Sequence, residues 1–183
     1  MDKLISSLKQ ITIFQIFTIS LRYLLGGSFV YASIFKIEGI RFAPESGESA
    51  PINSLAHFLE TMYQANLYWS FIGWGQLTIG FLMMSQTFST VGAVAFLPMI
   101  LNILIITVSF GSNNILIITS LMLLGNIYLL FWDWSKLKFI ILPSAKRYVD
   151  DSPSFSKYPI WSWLGIGLFF IIIILRKLAV SNL

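Results

Sequence analysis

Five long apolar stretches are the feature that most constrains the fold of this chain. They run from about Ile11 to Phe35, Leu67 to Ser85, Phe88 to Phe110, Asn114 to Trp132 and Pro159 to Leu175. A transmembrane helix needs about 20 mostly apolar residues, whereas a strand of a membrane barrel has about 10 residues that alternate strictly. The stretches are long and do not alternate, so the sequence predicts an all-α membrane protein with five spans.

The composition supports a membrane protein and excludes several classes of site. Of the 183 residues, 56% are hydrophobic and 11% are charged, whereas soluble domains have about 25% charged residues. The chain has no cysteine and one histidine, which excludes disulfides, thiolate sites and multi-histidine metal or haem sites within it. The formal charge of +4 is explained by Lys and Arg beside the spans, so no nucleic-acid partner is predicted.

The spacing of the spans predicts three regions. Residues 1–134 form a four-span bundle with an outer loop at 37–66, residues 135–158 a basic cytoplasmic linker, and residues 159–183 a fifth span with a short tail. Short connections after the second and third spans make these helices antiparallel neighbours. More Lys and Arg fall on the side of the N-terminus, which places that terminus in the cytoplasm. Helical spacing of apolar residues from Ile52 to Tyr63 predicts a short amphipathic helix on the outer membrane surface.

Polar and small residues form one stripe on each of the first four spans. Such stripes let helices approach closely and hydrogen-bond, so they predict a four-helix bundle around a polar seam. The fifth span has no stripe and is expected at the periphery, facing lipid or a partner. The stripes are Arg22, Gly26, Phe29, Ser33 and Lys36; Gly73, Gln76 and Gly80; Ala95, Pro98, Asn102 and Ser109; and Thr119, Met122, Asn126 and Asp133.

Arg22 is the most informative residue of this seam. An arginine at a helix centre costs about 2.5–3.5 kcal/mol on insertion scales. No acid lies inside a span, and Asp133 is expected at the cytoplasmic end, too far for a direct pair. Arg22 is therefore expected to contact carbonyl groups, water or an anion from elsewhere. The candidate residues for a ligand or partner contact are Arg22, Gln76, Asn102, Asn126 and Lys36, although amides in membrane bundles more often join helices.

The first two spans resemble the DoxX-like family of small bacterial membrane proteins. The segment Leu21–Gly26, followed by Phe29 and Lys36, is similar to the arginine, glycine, aromatic and lysine pattern of the family. In the second span Gln76 stands where the family commonly has glutamate. The resemblance covers residues 11–134 and implies a four-helix protein of the bacterial cytoplasmic membrane. It also implies relatives in quinone-reducing sulfur oxidation and membrane redox assemblies.

Three functions are compatible with this pattern. The first is a non-catalytic subunit of a larger membrane complex of the redox or export type, with other membrane subunits and the bilayer as partners. The alternative is a quinone- or lipid-binding redox protein, and the third is a small transporter or channel. No cofactor is required by the sequence, and quinone is the ligand of the alternative. His57 and Glu60 share a helix face but lack a third ligand, so a surface pair is favoured over a metal site.

Overall fold

The computed structural model describes residues 2–42, 46–141 and 159–181, and every regular element in these ranges is helical. The helices are α1 (Asp2–Gln10), α2 (Thr12–Ile37), α3 (Leu55–Gln64), α4 (Asn66–Met84), α5 (Ser89–Ser109), α6 (Asn113–Trp132), α7 (Trp134–Ile141) and α8 (Pro159–Ser181).

Four of these helices, α2, α5, α6 and α8, are long and apolar enough to cross a membrane. Helix α4 lies where the second span is predicted and has 19 residues, but it is not among the four. Its Tyr68, Trp69, Trp74 and Gln76 lower its hydropathy. The helical class is thus confirmed for the described residues, while the second predicted span forms a helix, α4, that is less apolar than these four require.

Two helices were not predicted from the sequence. Helix α1 precedes the first span, and Ile11 separates it from α2 with an extended backbone (φ −88°, ψ 115°). Helix α7 occupies the start of the predicted linker 135–158, immediately after Asp133. The rest of that linker, residues 142–158, lies outside the described residues.

Helices α2 and α4 make the most extensive helix contact in the described chain. Glycines bring their backbones together. A Cβ atom added to Gly80 would lie 2.7 Å from Val30 Cγ2 and 2.8 Å from the Gly26 carbonyl oxygen. Helix α5 packs on α4 and α6, and α8 packs on α2 and α4. The chain therefore surrounds the α2–α4 pair with its other long helices.

The predicted stripes face inward on three of the four helices. All five stripe residues of α2 are buried, as are Gly73, Gln76 and Gly80 of α4. On α6, Thr119 and Asn126 are buried and Asp133 is 3% exposed.

The prediction for α5 is wrong. Pro98, Asn102 and Ser109 are exposed, whereas Phe96 and Ile100 are 0% exposed. The ring of Phe96 stacks on Phe29 of α2 at a centroid distance of 4.1 Å. The apolar face of α5 is thus the one that packs, because large aromatic and aliphatic side chains fill the core better than small polar ones.

The two ends of the helix assembly carry different polar groups. We call the end that holds Arg22, the α4–α5 turn and Asp133 the N-terminal end. The opposite end, here the far end, holds Lys36 and α3. The ring of Phe58 on α3 contacts that of Phe110 after α5, with centroids 5.2 Å apart.

Candidate functional site

A buried ion pair joins Arg22 of α2 to Asp133 at the end of α6. Arg22 NH2 donates to Asp133 Oδ2 at 2.8 Å, and both side chains are 4% exposed. Charge-assisted hydrogen bonds of this length are the strong ones, and low local dielectric strengthens them further. The sequence-based expectation that Asp133 lies too far away for a direct pair is therefore wrong.

The error has a geometric cause. Gly26 packs against Met84 of α4, so Arg22, one turn earlier on α2, lies level with the α4–α5 turn rather than mid-helix. The first ten residues of α2 extend past that turn, and Ile13 among them is 75% exposed. Asp133 follows the last residue of α6, and the long arginine side chain spans the remaining distance.

Gln86, in the turn between α4 and α5, completes the coordination of Arg22. Its Oε1 accepts from Arg22 NH1 at 3.0 Å. The backbone of Gln86 has φ +58°, in the left-handed region that disfavours side-chain-bearing residues. Arg22 Nε and Gln86 Nε2 are buried without hydrogen-bond partners among the described residues. The strained turn thus places an amide oxygen on the guanidinium group.

Two further side chains bind the same carboxylate. Thr90 Oγ1 of α5 donates to Asp133 Oδ2 at 3.0 Å, and Lys136 Nζ of α7 lies 3.7 Å from Asp133 Oδ1. Lys136 Nζ also donates to Thr90 Oγ1 at 3.3 Å. We call these five residues the Arg22 cluster: Arg22, Gln86, Thr90, Asp133 and Lys136. The cluster joins α2, the α4–α5 turn, α5, the end of α6 and α7.

The buried amides of the predicted seam are not part of this cluster. Asn126 is 0% exposed, and neither its Nδ2 nor its Oδ1 has a hydrogen-bond partner in the described chain. Gln76 is 3% exposed, and its Oε1 also lacks a partner. Buried amides without partners are rare in native structures, because desolvation costs about 1–3 kcal/mol for each group.

The remaining two candidate residues lie elsewhere. Asn102 is exposed on α5, so its predicted place in the seam is wrong. Lys36 is buried at the far end, where its Nζ donates to the Ala32 carbonyl at 3.1 Å. The same ammonium lies 4.8 Å from the ring centroid of Phe42 and 5.0 Å from that of Trp69, so cation–π contacts hold it. The predicted candidates are therefore not brought together in one site.

A second ion pair, at the far end, was not predicted. Arg41 Nε donates to Glu60 Oε2 at 2.9 Å and Arg41 NH2 donates to Glu60 Oε1 at 2.9 Å. The Gly47 amide also donates to Glu60 Oε2, at 3.2 Å. The hydrogen bonds from Arg41 hold the pKa of Glu60 below its ordinary value. The one available sequence signal was an acid on the apolar face of α3.

His57 and Glu60, the two residues considered as metal ligands from the sequence, have separate partners in the structure. His57 Nδ1 lies 3.3 Å from the Gly47 carbonyl oxygen, whereas Glu60 is bound by Arg41. A Cβ atom on Gly47 would lie 2.2 Å from the Ala56 carbonyl oxygen, so glycine is required there. No group of three His, Cys, Asp or Glu residues that could hold a metal ion occurs in the described ranges.

Comparison of the chain with protein-family profiles, with curated proteins and with solved structures finds no match.

Proposed function

We propose that the chain is a non-catalytic integral membrane subunit of a larger complex, of the redox or export type, in the bacterial cytoplasmic membrane. In this proposal α2, α4, α5 and α6 form the transmembrane bundle and α8 is a peripheral span. The N-terminus lies in the cytoplasm, and α3 lies on the outer surface. The DoxX-like resemblance remains part of the proposal.

The observation that carries the proposal is that Arg22 is bound within the chain. Both terminal nitrogens of its guanidinium group donate to side chains from other segments, those of Gln86 and Asp133. A buried charge that is neutralised in this way joins helices and is not available to bind an anionic ligand. Arg41 and Glu60 form a comparable tie at the far end. Both charge clusters thus favour a packed scaffold over an open reaction site.

Helix α8 offers the surface through which such a scaffold would contact a partner. Phe169 and Arg176 of α8 are buried against the rest of the chain, and Tyr23 OH of α2 donates to the Trp161 carbonyl at 2.5 Å. The opposite face is apolar and exposed, with Ile171 at 49% and Ile174 at 55%. An apolar face of this kind contacts either lipid or another transmembrane helix.

The proposal is tested by extraction of the tagged full-length chain from native membranes in a mild detergent. We expect a complex of defined stoichiometry on native gels and by mass spectrometry. Ile174→Trp should release the partner, whereas Ile118→Trp on α6, which alters an equally exposed position (58%), should retain it. A chain that elutes alone and monodisperse under the same mild conditions would contradict the proposal.

A second candidate function, a quinone- or lipid-binding redox protein, is favoured by Asn126. Its amide is fully buried and has both polar atoms without partners, so it has donors and acceptors available for a carbonyl-bearing ligand. Organic extraction of the purified chain should then yield quinone from wild type and less from Asn126→Leu. The matched control is Asn102→Leu at an exposed position. Equal quinone content in all three proteins, or none in wild type, excludes this candidate.

A further inference from the structure

An apolar groove lies between α5, α6 and α7 at the N-terminal end. Its volume is about 370 Å³, which falls in the range of ligand clefts. Its walls come from three helices: Val94 and Leu97 of α5, Ile127, Leu130 and Phe131 of α6, and Trp134 and Leu137 of α7.

The position of the groove determines which molecules can reach it. Val94 and Ile127 belong to helices that are long and apolar enough to cross a membrane, so the groove opens toward hydrocarbon. Trp134 and Leu137 close it at the end where α6 gives way to α7. A tryptophan at such a position is typical of the boundary between acyl chains and headgroups.

The lining of the groove suits an acyl chain. All seven lining residues are apolar, and an acyl chain is narrower than a helix, whose diameter with side chains is about 10–12 Å. The charge at one end of the groove distinguishes a phospholipid from an apolar partner helix.

The end of the groove nearest the membrane boundary carries positive charge. Lys136 Nζ lies 3.3 Å from Thr90 Oγ1, and Thr90 precedes Val94 by four residues, one turn along the same face of α5. The Lys136 side chain is 63% exposed. Two cations, Arg22 and Lys136, face the single carboxylate of Asp133. These three groups therefore carry a net charge of +1 beside the groove.

We propose that this groove is a phospholipid-binding site. One acyl chain lies between α5 and α6, and the phosphate of the headgroup contacts Lys136. The proposal is independent of the proposed function, because a lone protein and a complex subunit could both carry such a lipid.

The test uses the full chain in mild detergent and native mass spectrometry. The two probes are phosphatidylglycerol and a diacylglycerol with the same acyl chains, which lacks the phosphate. We expect one phosphatidylglycerol per chain. Lys136→Gln should weaken this binding about fivefold, the contribution of one basic residue at an anionic lipid surface, and leave diacylglycerol binding unchanged.

A second pair of variants tests the groove itself. Val94→Trp fills it and should abolish binding of both lipids. Val108→Trp, on the same helix and at an exposed position (58%) outside the groove, should bind both lipids as wild type does. Equal phosphatidylglycerol binding by Val94→Trp and Val108→Trp would overturn the proposal.

If Val94→Trp does not fold, Lys136→Gln tests the proposal instead, because Lys136 is an exposed side chain whose replacement should not disturb folding. Phosphatidylglycerol binding by Lys136→Gln at wild-type affinity would then overturn the proposal. A photo-crosslinker placed at Val94 should form lipid adducts, and adducts with a partner protein in their place would also overturn it.

Discussion

Arg22 and Asp133 are separated by 111 positions in the sequence, yet the guanidinium NH2 of one lies 2.8 Å from Oδ2 of the other. The pair links the first long helix to the end of α6. Removal of one partner leaves the other charged and buried, a situation that costs about 3–5 kcal/mol.

We therefore expect Asp133→Ala to lower the free energy of unfolding by about 3–5 kcal/mol. Denaturant titration in detergent, followed by circular dichroism, measures this change. Lys136→Gln is the control, since its exposed ammonium contributes less than about 1 kcal/mol. The double variant Arg22→Leu/Asp133→Leu should lose less unfolding free energy than the sum of the losses in Arg22→Leu and Asp133→Leu. Strict additivity would show that the pair does not act as a unit.

The turn at Gln86 combines two opposing effects. Its side chain binds Arg22, a contact worth about 1.5–3 kcal/mol, while its positive φ costs about 1–2 kcal/mol. Gln86→Ala loses the contact and keeps the strain, whereas Gln86→Gly loses the contact and relieves the strain. We expect both variants to unfold more easily than wild type, with Gly more stable than Ala by about 1 kcal/mol. The same denaturant titration ranks them, and Ala equal to or above Gly contradicts the strained turn.

Gly80 is expected to tolerate no side chain. Its Cβ position is 2.8 Å from the Gly26 carbonyl oxygen on α2, so Gly80→Ala must separate the helices and should cost about 1–3 kcal/mol. A thermal shift in detergent measures the loss. Gly167 on α8 has no atom within 4 Å of its Cβ position, so Gly167→Ala should leave stability unchanged or raise it. Equal effects of the two variants would contradict the close contact of α2 with α4.

Helix positions and three of the four inward faces could be predicted from the sequence. The positions follow from the length and apolar character of each stretch, and the faces of α2, α4 and α6 follow from the periodicity of their small and polar residues. Both signals are local, and a helical period of 3.6 residues preserves them regardless of the neighbours.

The partners of polar residues depended on information that the sequence does not hold. Arg22 reaches Asp133 because α2 extends beyond the α4–α5 turn, and this vertical offset between helices is set by packing at Gly26 and Gly80. The predicted inward face of α5 is wrong because Phe96 fills the core better than the small polar side chains of the stripe do, while Asn102 remains exposed on the outer face. Arg41 lies outside any helix, so no helical period predicts its pairing with Glu60.

Protonation of Glu60 is expected to loosen the far end. Since hydrogen bonds from Arg41 lower the pKa of this carboxyl below about 4.5, its stabilising effect is complete above that pH and is lost as the pH falls below it. The Gly47 amide proton, which binds Glu60 Oε2, should therefore shift in NMR spectra recorded at decreasing pH. Glu60→Gln should remove the transition, while Glu48→Gln, at a side chain that is 64% exposed, should retain it. A transition that persists in Glu60→Gln would assign it to another group.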